Sequence, residues 1–349
     1  MLLRAATLLA FERDGHVTTR GILPQAAVER AIPAIDAAYE SQLAAVLAQK
    51  LRVILGDDEA ERLKGAPLKV LQQRVAALPE GSVPFLQGFN LWRTCPAVAS
   101  LAASDELAGA AAELLGVPRV RLFQDSLFVK RPNDGETHWH SDLAMAPLDT
   151  NHFVTCWLPL QPVPPEDEGG TGLIFASGSH RDVALHFWHG DPSEEVDCSE
   201  RGYSESVSQR LDVGDATWHH GWTLHCAAPN FSPRPRRALA LSFFGDGDTR
   251  RGGPPTARRL QAPRRKPHTE DAESHAAWLP DVPPGKPARH ALLPLVWDGA
   301  TGGAQRITAT APTRKPTTPQ RPQKQKPKQQ QRGRGRGRTR GAGGAAPRR

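Results

Sequence analysis

Apolar positions recur every three to four residues along LPQAAVERAIPAIDAAYESQLAAVLAQK, residues 23–50, and predict a helix that is bent or broken near Pro33. A second helical stretch is predicted over residues 96–116, with Pro96 at its start and Gly116 as its C-terminal stop. From Val120 the pattern changes to short β-branched and aromatic runs separated by Gly and Pro: VRLFQDSLFVK, HFVTCWLPL, GLIFAS, DATWHH and RALALSFF. Strands at short intervals behind an N-terminal helical layer predict an antiparallel barrel or sandwich buttressed by helices.

Residues 251–300 are proline-rich, but HALLPLVW, residues 290–297, is apolar enough to dock back onto the body, so the folded domain is expected to span 1–300. From residue 301 apolar residues give way to Gln, Lys, Pro, Arg and Gly, including RGRGRGR at 332–338. Such a composition buries too little surface to offset its ordering entropy, and 301–349 is expected to be a disordered basic tail.

Charge sharpens this division. Residues 313–349 hold 13 Lys or Arg and no acid, more than the chain's whole formal charge of +7, so the body before them is net acidic. With 39% hydrophobic residues the chain has material for a sizeable core. No apolar run reaches membrane-spanning length, and the N-terminal MLLRAATLLAFERDG ends in charges, not in a cleavage site. Cys95, Cys156, Cys198 and Cys226 lack metal or disulfide-framework spacing. A soluble, unprocessed protein with free thiols is expected, cytoplasmic or carried to the nucleus by the basic tail.

The candidate chemistry begins at HWHSD. His140 and Asp142 are two apart, so on an extended strand both side chains point to one face and can share an ion. A second imidazole from a distant strand would complete a two-histidine, one-carboxylate set that leaves positions open on iron(II). WHHGWTLHCAAPN supplies His219, His220 and His225 for that role, and spacing alone does not choose among them. His138 shares strand parity with His140 and could form a competing pair. An ordinary polar loop is the alternative for His140 and Asp142, and a hydrogen-bonded core or surface histidine for each of His219, His220 and His225.

Four segments in order resemble the phytanoyl-CoA dioxygenase family: FERDGHVTTRGIL its N-terminal strand, LFVKRPNDGETHWHSD its first metal segment, EDEGGTGLIFASGSH the segment between ligands, and GWTLHCAAPNFSPRPRRALAL its second metal segment. The resemblance implies a double-stranded β-helix, a jelly-roll or cupin-like barrel. It puts Thr137, Trp139, His140 and Asp142 on the family's T-x-W-H-x-D pattern, makes His138 a variable position, and gives His225 the distal ligand. Arg236, eleven residues beyond His225, falls on the arginine that grips 2-oxoglutarate. Parity agrees: Arg236, Ala238, Ala240 and Ser242 share one strand face, and the small residues leave room for a cosubstrate, while Arg237, Leu239, Leu241 and Phe243 share the other. A guanidinium fork suits a carboxylate. Gln124, Lys130, Thr137 and Trp157 lie on strands flanking the triad and are candidates for lining the pocket, with a surface lysine and a core tryptophan as the plainer readings. Ala227 and Cys226 depart from the family's small hydroxyl residue and glycine, which puts the cosubstrate's arrangement in doubt.

The resemblance therefore implies an iron(II), 2-oxoglutarate and O2-dependent dioxygenase that hydroxylates an unactivated C–H bond of a small-molecule or lipid-like substrate, releasing succinate and CO2. Retention of Asp142 favours hydroxylation over halogenation. The rival is an RNA-associated protein with an inactive barrel, in which the RG-rich tail follows nucleic-acid backbones non-specifically by charge.

Overall fold

The computed structural model describes residues 3–182, 202–251 and 279–309. Cys198, the stretch 252–278 and the basic tail from residue 310 lie outside them. The chain divides into a compact unit, Met1–Pro312, and a second unit, Thr313–Arg349.

Helices come first: α1 (Ala5–Asp14), α2 (Gln25–Leu55), α3 (Asp57–Arg62), α4 (Leu68–Ala76), α5 (Pro96–Ala102) and α6 (Asp105–Leu115). Of the expected bend or break at Pro33 the break does not occur, since α2 runs through it. Pro33 is exposed, as is Glu29, so the carbonyl that loses its amide partner stays open to water. The opposite face buries Val28, Ile35, Leu47 and Leu51, which outweighs a proline penalty of about 3 kcal/mol. The single helix expected over 96–116 is two. Ser104 interrupts it, accepting a hydrogen bond from the Leu107 amide at 3.2 Å as the cap of α6, with Asp105 and Glu106 in its first turn. Gly116 ends α6 in the left-handed conformation, φ 64°, as read from the sequence. Phe11–Asp14, which resembled the start of a strand, closes α1, and the strand is confined to β1 (His16–Thr19).

The remaining strands are β2 (Leu86–Phe89), β3 (Arg119–Lys130), β4 (Thr137–His140), β5 (Leu148–Asp149), β6 (Phe153–Pro159), β7 (Ile174–Ser177), β8 (Ser204–Val207), β9 (Ala216–His220), β10 (His225–Ala227), β11 (Arg236–Gly245), β12 (Thr249–Arg250), β13 (Leu295–Asp298) and β14 (Gly303–Ala304). The four-residue helix α7 (Asp142–Met145) follows β4. The large sheet runs β1-β9-β6-β11-β3-β13-β14, with β2 also on β3; the small one runs β4-β10-β7-β8. This is the double-stranded β-helix with N-terminal helices. The apolar run at 290–297 does pair with the large sheet through β13, and β13 pairs in turn with β14, beyond residue 301.

Alternation divides the large sheet's two faces. One presents Leu127, Cys156, Leu158, Trp218, Leu239 and Leu241 to Val28, Ile35 and Leu107 of the helices, in the main core. The other packs Trp157, Ala238 and Ala240 against Leu173, Phe175 and Ala227, the barrel interior. Leu239 is fully buried under the helical layer, so Leu239→Ala is expected to cost about 2–5 kcal/mol in chemical denaturation. Among the described residues no helix is long and apolar enough to cross a membrane. Cys95 and Cys156 are free, buried thiols.

Candidate metal centre

Register builds the site. In the small sheet His225 of β10 stands directly opposite His140 of β4, with ring centroids 4.2 Å apart. β4 ends at His140, so Asp142 is not a strand residue. Ser141 is extended (φ −124°, ψ 138°) and carries Asp142 onto the first position of α7, beside the imidazoles. One donor atom from each of His140, Asp142 and His225 lies within 4.8 Å of the others. His140 Nε2 is 4.0 Å and His225 Nε2 3.7 Å from Asp142 Oδ1.

The outer atoms fix the inner ones. His140 Nδ1 donates to the His138 carbonyl at 2.8 Å and His225 Nδ1 donates to the Thr223 carbonyl at 3.0 Å. A carbonyl only accepts, so each Nδ1 carries a proton and each Nε2 faces the centre, the orientation in which the neutral ring offers a metal its lone pair. Burial, with the neighbouring His140 and His219, pushes His225 well below the usual imidazole range, so it is neutral. Burial works against the Asp142 carboxylate, but the hydrogen bond from His219 and the surrounding imidazoles outweigh it and hold the group well below its ordinary range.

The competing histidines have other partners. His138 is exposed and pairs with Glu136 at 3.3 Å. His220 Nε2 donates to the Asn151 carbonyl at 2.7 Å. His219 reaches Asp142 from behind, Nε2 to Oδ2 at 3.0 Å, and Thr155 Oγ1 donates to the same oxygen at 2.6 Å. Neither Thr155 nor this role for His219 is visible in the sequence, because they sit on β6 and β9, distant along the chain. Pairing joins them into one polar row across the inner face of the large sheet: His16, His219, Thr155, Ser242 and Gln124. Gln124 is half-buried at the end of that row, opposite Ser242.

Three rows further along the same face, Arg236 pairs across the sheet with Lys130. Both are buried. Arg236 Nε donates to Thr171 Oγ1 at 3.2 Å, and its guanidinium carbon lies 5.3 Å from the centre of the Trp157 ring. Thr171 is another residue the sequence did not single out; Gly170 before it passes so close to the Pro164 carbonyl that a Cβ there would sit 1.8 Å from the oxygen. Lys130 Nζ is 3.3 Å from the Ala227 carbonyl and 3.5 Å from Thr137 Oγ1, which ties Thr137 and Trp157 to the two cations. Burial, then the charge of Arg236, pushes Lys130 down to about 7, and burial pushes Arg236 down to about 10. Among the described residues no carboxylate lies within ion-pair distance of either. Two buried cations without an anion are costly unless a ligand supplies one. Arg237, one residue along, points away to Asp36 of α2, at 2.6 and 2.7 Å.

A double-stranded β-helix in which two imidazole nitrogens and one carboxylate oxygen converge has the donor set of non-haem iron proteins, with positions left open on the metal. A family model described as phytanoyl-CoA dioxygenase matches residues 11–238, and the chain belongs to that family. It is similar to a methylphosphonate hydroxylase of Gimesia maris, 26% identical over 40% of this chain and 52% of the relative. It is also similar to a probable alpha-ketoglutarate-dependent hypophosphite dioxygenase of Stutzerimonas stutzeri, 25% identical over 42% of this chain and 52% of the relative. The chain thus spans about half the length of the curated relatives it matches. The crystal structure of SnoK, a non-heme alpha ketoglutarate dependent carbocyclase from nogalamycin biosynthesis, shares the fold with a TM-score of 0.58 at 20% identity, covering 84% of this chain and 96% of that one.

Proposed function

We propose that the protein is an iron(II)- and 2-oxoglutarate-dependent dioxygenase that hydroxylates a small-molecule or lipid-like substrate. His140 Nε2, His225 Nε2 and Asp142 Oδ1 hold the iron, and Arg236 takes the far carboxylate of 2-oxoglutarate in a bidentate contact. Lys130, Thr137 and Trp157 shape the pocket around that carboxylate, and Gln124 lines the barrel on the substrate's side. When bound, iron with 2-oxoglutarate and O2 supplies an oxidant for unactivated C–H bonds, with release of succinate and CO2. The protein contributes position, charge and a dry interior. The matched relatives carry hydroxylase and dioxygenase names, which supports this class.

The observation that carries the reading is the pairing of two features in one barrel: three donor atoms whose outer hydrogen bonds aim them inward, and a buried guanidinium with no carboxylate partner among the described residues. The test is to supply iron, O2 and 2-oxoglutarate and measure succinate against a panel of organic acids, phosphonates and acyl compounds. Succinate release stimulated by one class, and lost in Asp142→Ala, is the expected result. No succinate above an iron-only blank with any of them contradicts the reading.

Lys130 gives the site a pH dependence with a definite sign. Its ammonium is pushed down to about 7, so near neutrality part of the population is uncharged, and an arriving dianion favours the charged form. Affinity for 2-oxoglutarate is therefore expected to rise as pH falls through about 7, with proton uptake on binding. Anaerobic calorimetry of the iron-loaded protein at about pH 7.5, in buffers of different ionisation heat, should show that uptake in the wild type and none in Lys130→Met.

A further inference from the structure

The Asp142 carboxylate uses its two oxygens differently. Oδ2 accepts from Thr155 Oγ1 at 2.6 Å and from His219 Nε2 at 3.0 Å, while Oδ1 is turned toward His140 and His225. We infer that His219 is a positioning residue which, with Thr155, occupies Oδ2 and makes Asp142 a one-oxygen ligand. This rests on the iron site proposed above.

The geometry of His219 supports a directional role. Its side chain is 1% exposed, on the polar row of the inner face. A carboxylate only accepts, so Nε2 carries the proton, and buried Nδ1 has no hydrogen-bond partner among the described residues. The ring thus makes one hydrogen bond, and it goes to the metal-facing carboxylate. Thr155 is anchored in turn, its hydroxyl 3.0 Å from that of Ser242. Two donors converging from adjacent strands hold the carboxylate plane. A carboxylate free to rotate could bind iron through both oxygens and fill a position that 2-oxoglutarate and O2 require.

The alternative is that His219 merely packs. Its ring lies 5.7 Å from that of Phe175 and 4.2 Å from that of His225. Phenylalanine preserves the ring but cannot donate, whereas glutamine loses the ring but places an N–H near the same point. The two roles therefore predict opposite orders. Anaerobic iron(II) titration and the visible spectrum of the cobalt(II) form should be measured for the wild type, His219→Phe, His219→Gln and Thr155→Val. We expect iron affinity to fall about 10- to 100-fold in His219→Phe, to recover most of the way in His219→Gln, and to fall in Thr155→Val. The cobalt spectrum should change in His219→Phe and Thr155→Val but stay near wild type in His219→Gln.

Wild-type affinity in His219→Phe with a loss in His219→Gln would show packing and overturn the inference while leaving the iron site standing. A wild type that binds no iron removes the site and the inference together. Should His219→Phe fail to fold, unchanged affinity and spectrum in Thr155→Val would overturn it instead, since that near-isosteric change removes the second donor to the same oxygen.

Discussion

Alanine at His225 is expected to reduce bound iron from about one per chain to a trace without unfolding the domain, and His140→Ala and Asp142→Ala should do the same. Each removes one of three donor atoms, a larger loss than the roughly 10- to 100-fold that an outer hydrogen-bond partner is worth. His225 is buried, but its ring neighbours are His140, His219 and Phe175, which lie outside the main core, so alanine spares that core. His138→Ala should keep its iron, because only the backbone carbonyl of that residue serves the site. His220→Ala should also keep it, since that ring donates to Asn151 on the far side. Metal analysis after anaerobic reconstitution, alongside circular dichroism, checks the set. Full occupancy in His225→Ala with loss in His220→Ala would mean that the distal ligand is misassigned.

Arg236→Leu should separate two properties: iron stays and 2-oxoglutarate leaves. The guanidinium is not among the proposed metal donors, but it is a buried cation, held by Thr171 and the face of Trp157, and the cation proposed to take the carboxylate. Losing such a contact, with the partner charge left desolvated, costs on the order of 2–5 kcal/mol, or roughly thirtyfold to several-thousandfold in affinity. Arg237→Leu is the matched control. It breaks only the partly exposed pair with Asp36, worth about 0–1 kcal/mol of stability, and removes the same formal charge from the same strand. Anaerobic titration of 2-oxoglutarate into the iron-bound proteins, followed by the metal-to-ligand absorption band, measures both. Equal weakening in the two variants would point to general electrostatics and not to a clamp.

The strands were legible because their alternation is strong. Arg236 and Arg237 are adjacent; period-two parity separates their faces, the small residues beside Arg236 point it inward, and the hydrogen bonds to Thr171 and Asp36 display that division. Helix boundaries were less legible. Pro33 and Ser104 both carry local signals, and tertiary packing overrode the first while capping enforced the second.

At the site, HWHSD and the histidines of β9 and β10 were visible, but choosing among His219, His220 and His225 needed the turn at Gly221–Leu224, which one-dimensional spacing does not specify. Once the strands pair, His225 falls opposite His140 and His219 falls behind Asp142. Thr155 and Thr171 stayed hidden for the same reason. A threonine in an apolar strand looks like any β-former, and only the folded pairing brings the Thr155 hydroxyl of β6 beside the Asp142 carboxylate at the start of α7.

Iron held by His140, Asp142 and His225 and 2-oxoglutarate fastened by Arg236 are proposed for one barrel. A crystal structure of the protein loaded anaerobically with iron(II) and 2-oxoglutarate tests this most directly. The expected result is a metal bonded to both Nε2 atoms and to Oδ1 alone of Asp142, with Oδ2 still held by Thr155 and His219, and the far carboxylate of 2-oxoglutarate on the Arg236 guanidinium. A metal bonded to His219 or His138, or a carboxylate seated away from Arg236, would contradict it.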